Sequence, residues 1–168
     1  GILYDEYLSG NFSITSFYLR RTRRIIPLTL FITAISLLIG VFVMLPDDLE
    51  NLAQSVIATN FFSNNILLAL TTADYWDVVN EYKPLMHTWS LGVEEQYYLL
   101  YPLLFILVPK TRQNWLQILL IALALGSLAL FLSPFEAYKK FYYLPFRFFE
   151  LATGGLAALY LRDRLIHH

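Results

Sequence analysis

The chain has 168 residues, of which 57% are hydrophobic and 15% are charged, and it carries a net charge of −1 with no cysteine. Soluble domains have about 25% charged residues, so this apolar excess indicates an integral membrane protein. The lack of cysteine excludes disulfides, thiolate metal sites and cysteine nucleophiles. The charge balance shows no basic stripe interleaved with aromatic residues, so we expect no nucleic-acid partner.

The first 24 residues are polar and mixed, and Ser13 or Thr15 could cap a short helix there. Four arginines follow within five positions: Arg20, Arg21, Arg23 and Arg24. The first and third are three residues apart, as are the second and fourth, so each pair shares a helix face. Guanidinium groups bind phosphates bidentately and stay charged, which suits phosphate recognition at a membrane surface. The alternative is a topogenic anchor that obeys the positive-inside rule, and both can hold together.

Four membrane spans are predicted from the apolar runs. The run Ile25–Leu45 has 21 residues without a charge, and about 20 apolar residues cross a hydrocarbon core. The other spans are about Thr88–Val108, Trp115–Phe135 and Phe141–Leu161. Segment Asn51–Leu70 has the length of a span but is rich in amides and hydroxyls. We therefore expect it to be a re-entrant or interfacial element whose polar groups face protein or water.

The basic loops, except the Lys139–Lys140 pair, favour this arrangement. If 51–70 does not cross, Lys110, Arg112, Arg162 and Arg164 fall on the same side as the arginine stretch, and if it crosses they lie opposite. Short cytoplasmic loops carry an excess of Lys and Arg. The sequence thus predicts an all-α polytopic bundle of about four full spans plus one re-entrant or interfacial helix, with Arg20–Arg24 on the cytoplasmic side.

A polar stripe is predicted in the second span. Helical spacing places five polar side chains on one face: His87, Ser90, Glu94, Tyr98 and Tyr101. An ionised carboxylate at the centre of a bilayer costs about 2.5–3.5 kcal/mol, so it is retained where it is paired, protonated or facing water. The stripe is suited to hydrogen bonding and proton transfer. A buried structural network that locks neighbouring helices is the alternative.

The last span holds a second charged pair. Arg147 and Glu150 are three residues apart and can neutralise each other. Pro145 permits a break or kink near the outer end of the span. Gly154–Gly155 would let another helix approach closely. The residues alone are most simply interpreted as a packing seam with an internal salt bridge.

Three stretches together resemble the acyltransferase 3 family of membrane acyltransferases. They are Phe17–Pro27, Pro84–Tyr98 and Pro145–Gly155. The middle stretch, PLMHTWSLGVEEQYY, is close to the signature of the branch that acetylates bacterial surface polysaccharides. The resemblance covers nearly the whole chain, although residues 46–80 match only loosely.

The resemblance implies a bundle of about ten transmembrane helices in the bacterial inner membrane, of which residues 1–168 would be a part that lacks the first helices and the later ones. Such a bundle moves an acyl group, usually acetyl, from coenzyme A to a sugar hydroxyl. Acyl-CoA is then a donor substrate, and neither a permanently bound cofactor nor a metal is expected. The expected partners are acyl-CoA, a glycan acceptor and the lipid bilayer.

The resemblance also assigns residues. Arg21 and Arg24 would hold the phosphates of the coenzyme at the cytoplasmic face. The residues that would line or brace the catalytic cavity are Trp89, Glu94, Glu95, Gln96, Arg147 and Glu150. The family's catalytic histidine would precede Gly1, which leaves His87 as the one intramembrane histidine here and a candidate base, because histidine titrates near neutral pH. One of the adjacent glutamates would orient the base or the acceptor, and the fragment alone is not expected to catalyse.

Two other classes of function stay open from the sequence. A transporter or channel fragment would use Glu94, Glu95 and the Arg147–Glu150 pair to relay protons or bind a solute. A structural module without chemistry would use the same charges only to set helix register. The sequence identifies neither the acceptor sugar nor the acyl chain.

Overall fold

The regular structure of the chain is helical throughout the part described by the computed structural model, which comprises residues 6–7, 9, 12–71, 83–108 and 113–166. The helices are α1 (Ile14–Val43), α2 (Pro46–Asn60), α3 (Asn64–Thr71), α4 (Thr88–Leu107), α5 (Gln113–Leu132), α6 (Ala137–Tyr142) and α7 (Leu144–Ile166). The all-α prediction is therefore confirmed for these residues. Lys110 and Arg112 lie outside the described residues, and so do the side chains of Arg162 and Arg164.

Helix α1 carries the arginine stretch and the first apolar run as one continuous element of 30 residues. It begins after Ser13, whose Oγ accepts a hydrogen bond from the Ser16 amide at 3.3 Å. The prediction of a separate short helix before the span is therefore wrong. Pro27 lies inside the helix, where it removes one backbone hydrogen bond without ending the element. Thirty residues extend about 45 Å, more than the thickness of a hydrocarbon core, so the arginine turns can project beyond it.

Two of the described helices, α1 and α5, are long and apolar enough to cross a membrane. Only 11% of the apolar window in α1 and 22% of that in α5 is buried, so neither is the core helix of a soluble protein. Phe31 and Leu38 of α1 are each 61% exposed. Helices α4 and α7 have 20 and 23 residues but contain charged and amide side chains and do not reach the same apolarity. Four full spans remain a prediction.

Segment 51–70 forms two short helices instead of one long one. Helices α2 and α3 have 15 and 8 residues, which gives lengths of about 22 and 12 Å. The turn between them places Phe62 at a φ of 53°, in the left-handed region. Helix α2 runs back along α1, because Leu52 lies against Gly40 while the Asn60 amide donates to Thr33 Oγ1 at 3.3 Å. Neither helix can span a bilayer, as predicted for this segment.

Buried amides attach α3 to the start of α4. Asn64 and Asn65 are both fully buried. Asn64 Nδ2 donates to the Leu85 carbonyl at 2.9 Å and to Thr88 Oγ1 at 2.7 Å. Asn65 and Gln96 exchange hydrogen bonds between their amides, at 2.9 and 3.3 Å. The polar groups of α3 therefore face protein, in agreement with the prediction.

Helices α1 and α4 run antiparallel. The Tyr18 hydroxyl donates to the Leu99 carbonyl at 2.7 Å, and three residues later Arg21 bonds Glu95. Helix α1 thus advances while α4 recedes. This relative direction is the one expected if the segment between them does not cross the membrane.

Helix α7 runs parallel to α4 and antiparallel to α5. Tyr97 lies against Phe148 with ring centroids 5.2 Å apart, and Tyr101 lies one turn further along, beside Gly155. On the other side of α7, Ser127 Oγ of α5 accepts a hydrogen bond from the backbone amide at position 149. A buried cluster of leucines and aromatic residues joins the ends of these three helices near the arginine side of α1.

The last predicted span, Phe141–Leu161, is wrong at its start. The chain leaves the helical conformation at Tyr143, whose φ and ψ are −93° and 135°, and α7 begins at the next residue. Pro145 occupies the second position of α7. Proline has no amide hydrogen and is accepted in a first helical turn, where amides have no helical partner.

Gly92 tests the packing of α3 on α4. A Cβ atom there would lie 2.6 Å from Asn65 Oδ1 and 3.1 Å from the Phe62 carbonyl oxygen. We expect Gly92→Ala to lower the free energy of unfolding by about 2 kcal/mol, because the Asn65 amide must move and lose its hydrogen bonds. The matched control is Gly126→Ala in α5, where nothing lies within 4 Å of the new methyl group. It should stabilise by about 0.5–1 kcal/mol.

Equilibrium unfolding in mixed micelles measures both variants. Equal stability of Gly92→Ala and the unsubstituted protein would show that α3 does not pack on α4 in this way.

Candidate functional site

A cavity of about 710 Å³ lies between α1, α4 and α7. It brings together the three stretches that carry the sequence motifs. Its lining residues are Phe17, Arg20, Arg21 and Arg24 of α1, Tyr97, Tyr98 and Tyr101 of α4, and Glu150, Leu151, Gly154, Gly155, Ala158 and Leu159 of α7. Cations thus stand on one wall, aromatic rings on the second, and small residues with one carboxylate on the third.

One wall depends on an ion pair between Arg21 and Glu95. Arg21 Nε lies 3.0 and 3.1 Å from the two carboxylate oxygens, and Nη2 also donates to Oε1. The two side chains are 22% and 13% exposed. The guanidinium carbon lies 3.3 Å from the centroid of the Tyr98 ring, a stacked cation–π arrangement. Arg21 Nη1 makes no hydrogen bond to the described residues.

The ion pair joins Arg21, which was predicted to bind the donor, to Glu95, which was predicted to belong to the catalytic cavity. The sequence did not indicate it, because the partners are 74 positions apart and no pattern in a single sequence reports such a contact. Arg21, Glu95 and Tyr98 also line a second cavity, of about 450 Å³, on the side of α2 and α3. Arg21 and Tyr98 therefore belong to the wall between the two cavities.

The other arginines differ in their partners. Arg20 bonds both carboxylate oxygens of Glu6, at 2.8 and 3.0 Å. Arg24 lines the 710 Å³ cavity and has no ion-pair or hydrogen-bond partner within the described part of the chain. Arg23 is exposed and is absent from the lining of that cavity. Arg24 is thus a cation of the cavity that is available to a ligand.

The tyrosine wall includes a residue that the sequence did not single out. Tyr97 stacks on Tyr101 with ring centroids 5.4 Å apart and is 3% exposed. Its hydroxyl is buried and has no hydrogen-bond partner among the described residues. A Cβ atom at Gly155 would lie 3.3 Å from that hydroxyl oxygen. Helical spacing had placed Tyr98 and Tyr101, its neighbours in this wall, on the polar stripe.

Glu150 connects the main cavity to a third one. Its Oε2 accepts hydrogen bonds from Arg147 Nε at 3.0 Å and Nη2 at 2.7 Å. The Arg147 guanidinium lies 4.9 Å from the Trp89 ring. Arg147 and Glu150 line a cavity of about 350 Å³ together with Phe131, Ala137, Lys140 and Phe141. The predicted pair therefore forms, and Trp89 braces it.

The predicted single-face stripe divides in the structure. His87 precedes the first residue of α4 and is exposed, and Glu94 is exposed as well. Neither lines the cavities described above. Tyr98 and Tyr101, at the other end of the stripe, line the main cavity. Gln96 donates from its amide to Asn65 and to the Phe62 carbonyl, so it braces α4 against α3.

A family model described as "Acyltransferase domain" matches residues 2–167. Among curated proteins, an uncharacterized protein of Haemophilus influenzae is 34% identical over an alignment of 169 positions. The alignment covers 95% of this chain and 69% of that protein. Peptidoglycan O-acetyltransferase OatA of Listeria monocytogenes is 30% identical over 90% of this chain. O-acetyltransferase OatA of Staphylococcus aureus is 31% identical over 71% of it.

The matched regions occupy 25% of the Listeria protein and 20% of the Staphylococcus protein. The chain thus corresponds to about a quarter or less of each named O-acetyltransferase. No solved structure gives a significant match.

A double-mutant cycle tests the Arg21–Glu95 pair. We expect Arg21→Gln and Glu95→Gln to show a coupling of about 2 kcal/mol in the free energy of unfolding. Each single change leaves a largely desolvated charge without its partner. The control is the Arg20–Glu6 pair, in which Arg20 Nη2 bonds both carboxylate oxygens and the side chains are 50% and 23% exposed. Its coupling should be below about 1 kcal/mol. Equal coupling for the two pairs would contradict the partly buried site described here.

Proposed function

The chain belongs to the acyltransferase domain family, and on that premise we propose that it takes part in the transfer of an acyl group, in the simplest case acetyl, from acyl-CoA to a hydroxyl of a cell-surface glycan. The observation that carries the proposal is the 710 Å³ cavity, in which the arginine stretch, the tyrosines of α4 and the α7 motif meet. Three sequence stretches that lie far apart in the chain therefore surround one cavity.

The cavity suits a long ligand that is anionic at one end. Arg24 offers a whole guanidinium, and Arg21 offers Nη1 while Glu95 and Tyr98 hold its position. These groups would hold the phosphates of the donor, since guanidinium binds phosphate bidentately. The tyrosines and Gly154–Gly155 continue from the arginines with a largely apolar surface. Such a surface would receive the uncharged arm and acyl group of the donor.

The acceptor would approach from the opposite end. The 350 Å³ cavity holds Lys140, Arg147 and Phe141, and it shares Glu150 with the donor cavity. Aromatic faces and charged hydrogen-bonding groups suit a sugar. With the arginines on the cytoplasmic side of the bacterial inner membrane, donor and acceptor would enter from opposite faces and meet near Glu150. The name of the Listeria relative, a peptidoglycan O-acetyltransferase, supports a glycan as the acceptor class.

Transfer forms an ester bond between the acyl carbon and the acceptor oxygen and breaks the carbon–sulfur bond of the thioester. The proton of the hydroxyl leaves with the thiol of coenzyme A. Within this chain, Glu150 is placed to orient the acceptor hydroxyl, because its carboxylate lines both cavities. His87 and Glu94 line neither of these two cavities, and Glu95 acts through Arg21.

Replacing single arginines tests the donor site. We expect Arg24→Gln to weaken acetyl-CoA binding by about tenfold or more, because it removes a charge-assisted contact worth about 1.5–3 kcal/mol. The matched control is Arg23→Gln, which removes the same charge from the neighbouring position outside the cavity and should change the affinity less than about threefold. Equilibrium binding of radiolabelled acetyl-CoA to the protein in lipid nanodiscs gives both values.

If both changes weaken acetyl-CoA binding equally, the arginines act only as a general electrostatic anchor, and the donor site is contradicted. Solute flux through reconstituted vesicles in the absence of acyl-CoA, with no acetyl-CoA binding, would instead favour a transporter.

A further inference from the structure

The hydroxyl of Tyr97 is a polar group without a structural function in the described residues. The side chain is 3% exposed, the oxygen is buried, and it finds no hydrogen-bond partner there. A buried hydroxyl without a partner is unfavourable, and natural proteins rarely retain one without a reason. A phenylalanine would fill the same space without that cost.

The position of the hydroxyl indicates what it could bind. Tyr97 lines the 710 Å³ cavity, and a Cβ atom at Gly155, another lining residue, would lie 3.3 Å from its oxygen. The Tyr97 ring packs against the rings of Tyr98, Tyr101 and Phe148. A neutral donor in an aromatic wall suits a neutral acceptor such as a carbonyl oxygen, whereas the anionic end of a ligand would be held by the arginines.

We propose that the Tyr97 hydroxyl donates a hydrogen bond to a carbonyl oxygen of the bound acyl donor. The inference rests on the proposed function, because it takes acyl-CoA as the occupant of the cavity. The donor has two kinds of carbonyl that could serve, the amides of its pantetheine arm and the thioester carbonyl of the acyl group.

Tyr97→Phe tests the proposal, since it removes one oxygen atom and keeps the ring. We expect acetyl-CoA binding to weaken by about five- to tenfold, while the thermal unfolding temperature stays the same or rises. The opposite signs of the two effects distinguish a ligand contact from a structural one. An equal loss for free coenzyme A would assign the bond to a pantetheine amide, and a loss for acetyl-CoA alone would assign it to the thioester.

Tyr7→Phe is the matched control. Tyr7 is also 3% exposed, but its hydroxyl donates to the Val108 carbonyl at 2.7 Å. Its removal should lower the unfolding temperature and leave the affinity for acetyl-CoA within about twofold. If Tyr97→Phe behaves like Tyr7→Phe, losing stability with no change in affinity, the hydroxyl is structural and the proposal is wrong.

Acetyl-CoA binding by the unsubstituted protein distinguishes a failure of this inference from a failure of the proposed function. If it binds acetyl-CoA and Tyr97→Phe binds it equally well, only the hydrogen bond is refuted. If it does not bind acetyl-CoA, the proposed function fails, and the assignment of Tyr97 fails with it.

Discussion

The position of the arginine stretch depends on one ion pair, between Arg21 of α1 and Glu95 of α4. Most side chains of α1 point away from the described bundle, and its buried residues, Thr29, Thr33 and Gly40, are small or polar. Among the described residues, the hydrogen bonds from α1 to α4 are those of this pair and the one from Tyr18. In lipid, apolar surfaces gain little by meeting each other, so polar contacts and close packing determine which helices associate. The ion pair therefore holds α1 against α4, a role that apolar packing has in a soluble protein.

The same rule explains why the interior of the chain is more polar than a soluble core. Amide and hydroxyl groups are buried between α1, α2, α3 and α4, while large apolar residues are exposed. A buried amide that is hydrogen-bonded fixes a direction as well as a contact. Asn64 does so through Nδ2, whereas its Oδ1 has no hydrogen-bond partner among the described residues. The Asn65–Gln96 pair holds α3 on α4, and Gly92 makes the space for it. The described buried polar residues are Thr29, Thr33, Ser55, Thr59, Asn64, Asn65 and Ser127.

These features explain how much could be predicted from the sequence. Local composition predicted the helical content, the first apolar helix and the polar segment 51–70 that differs from an ordinary span. Local spacing predicted the Arg147–Glu150 pair, because its members are one helical turn apart. Helical spacing also found Tyr98 and Tyr101. It could not find the Arg21–Glu95 pair or the orphan hydroxyl of Tyr97, since both depend on how α1, α4 and α7 are placed in three dimensions. The sequence predicted a separate short helix before the first apolar run, whereas α1 is continuous through it. It also predicted that the last span begins at Phe141, before the break at Tyr143 that separates α6 from α7.

In the proposed function, the cavity between α1, α4 and α7 holds the acyl donor. A photoreactive acetyl-CoA analogue, crosslinked to the protein in lipid nanodiscs and mapped by mass spectrometry, tests it most directly. We expect the label on the cavity-lining peptides around Arg24, Tyr97–Tyr101 and Gly154–Gly155, and we expect excess acetyl-CoA to abolish it. Labelling confined to α2, α3 or α5, or labelling that excess acetyl-CoA does not displace, would contradict the account.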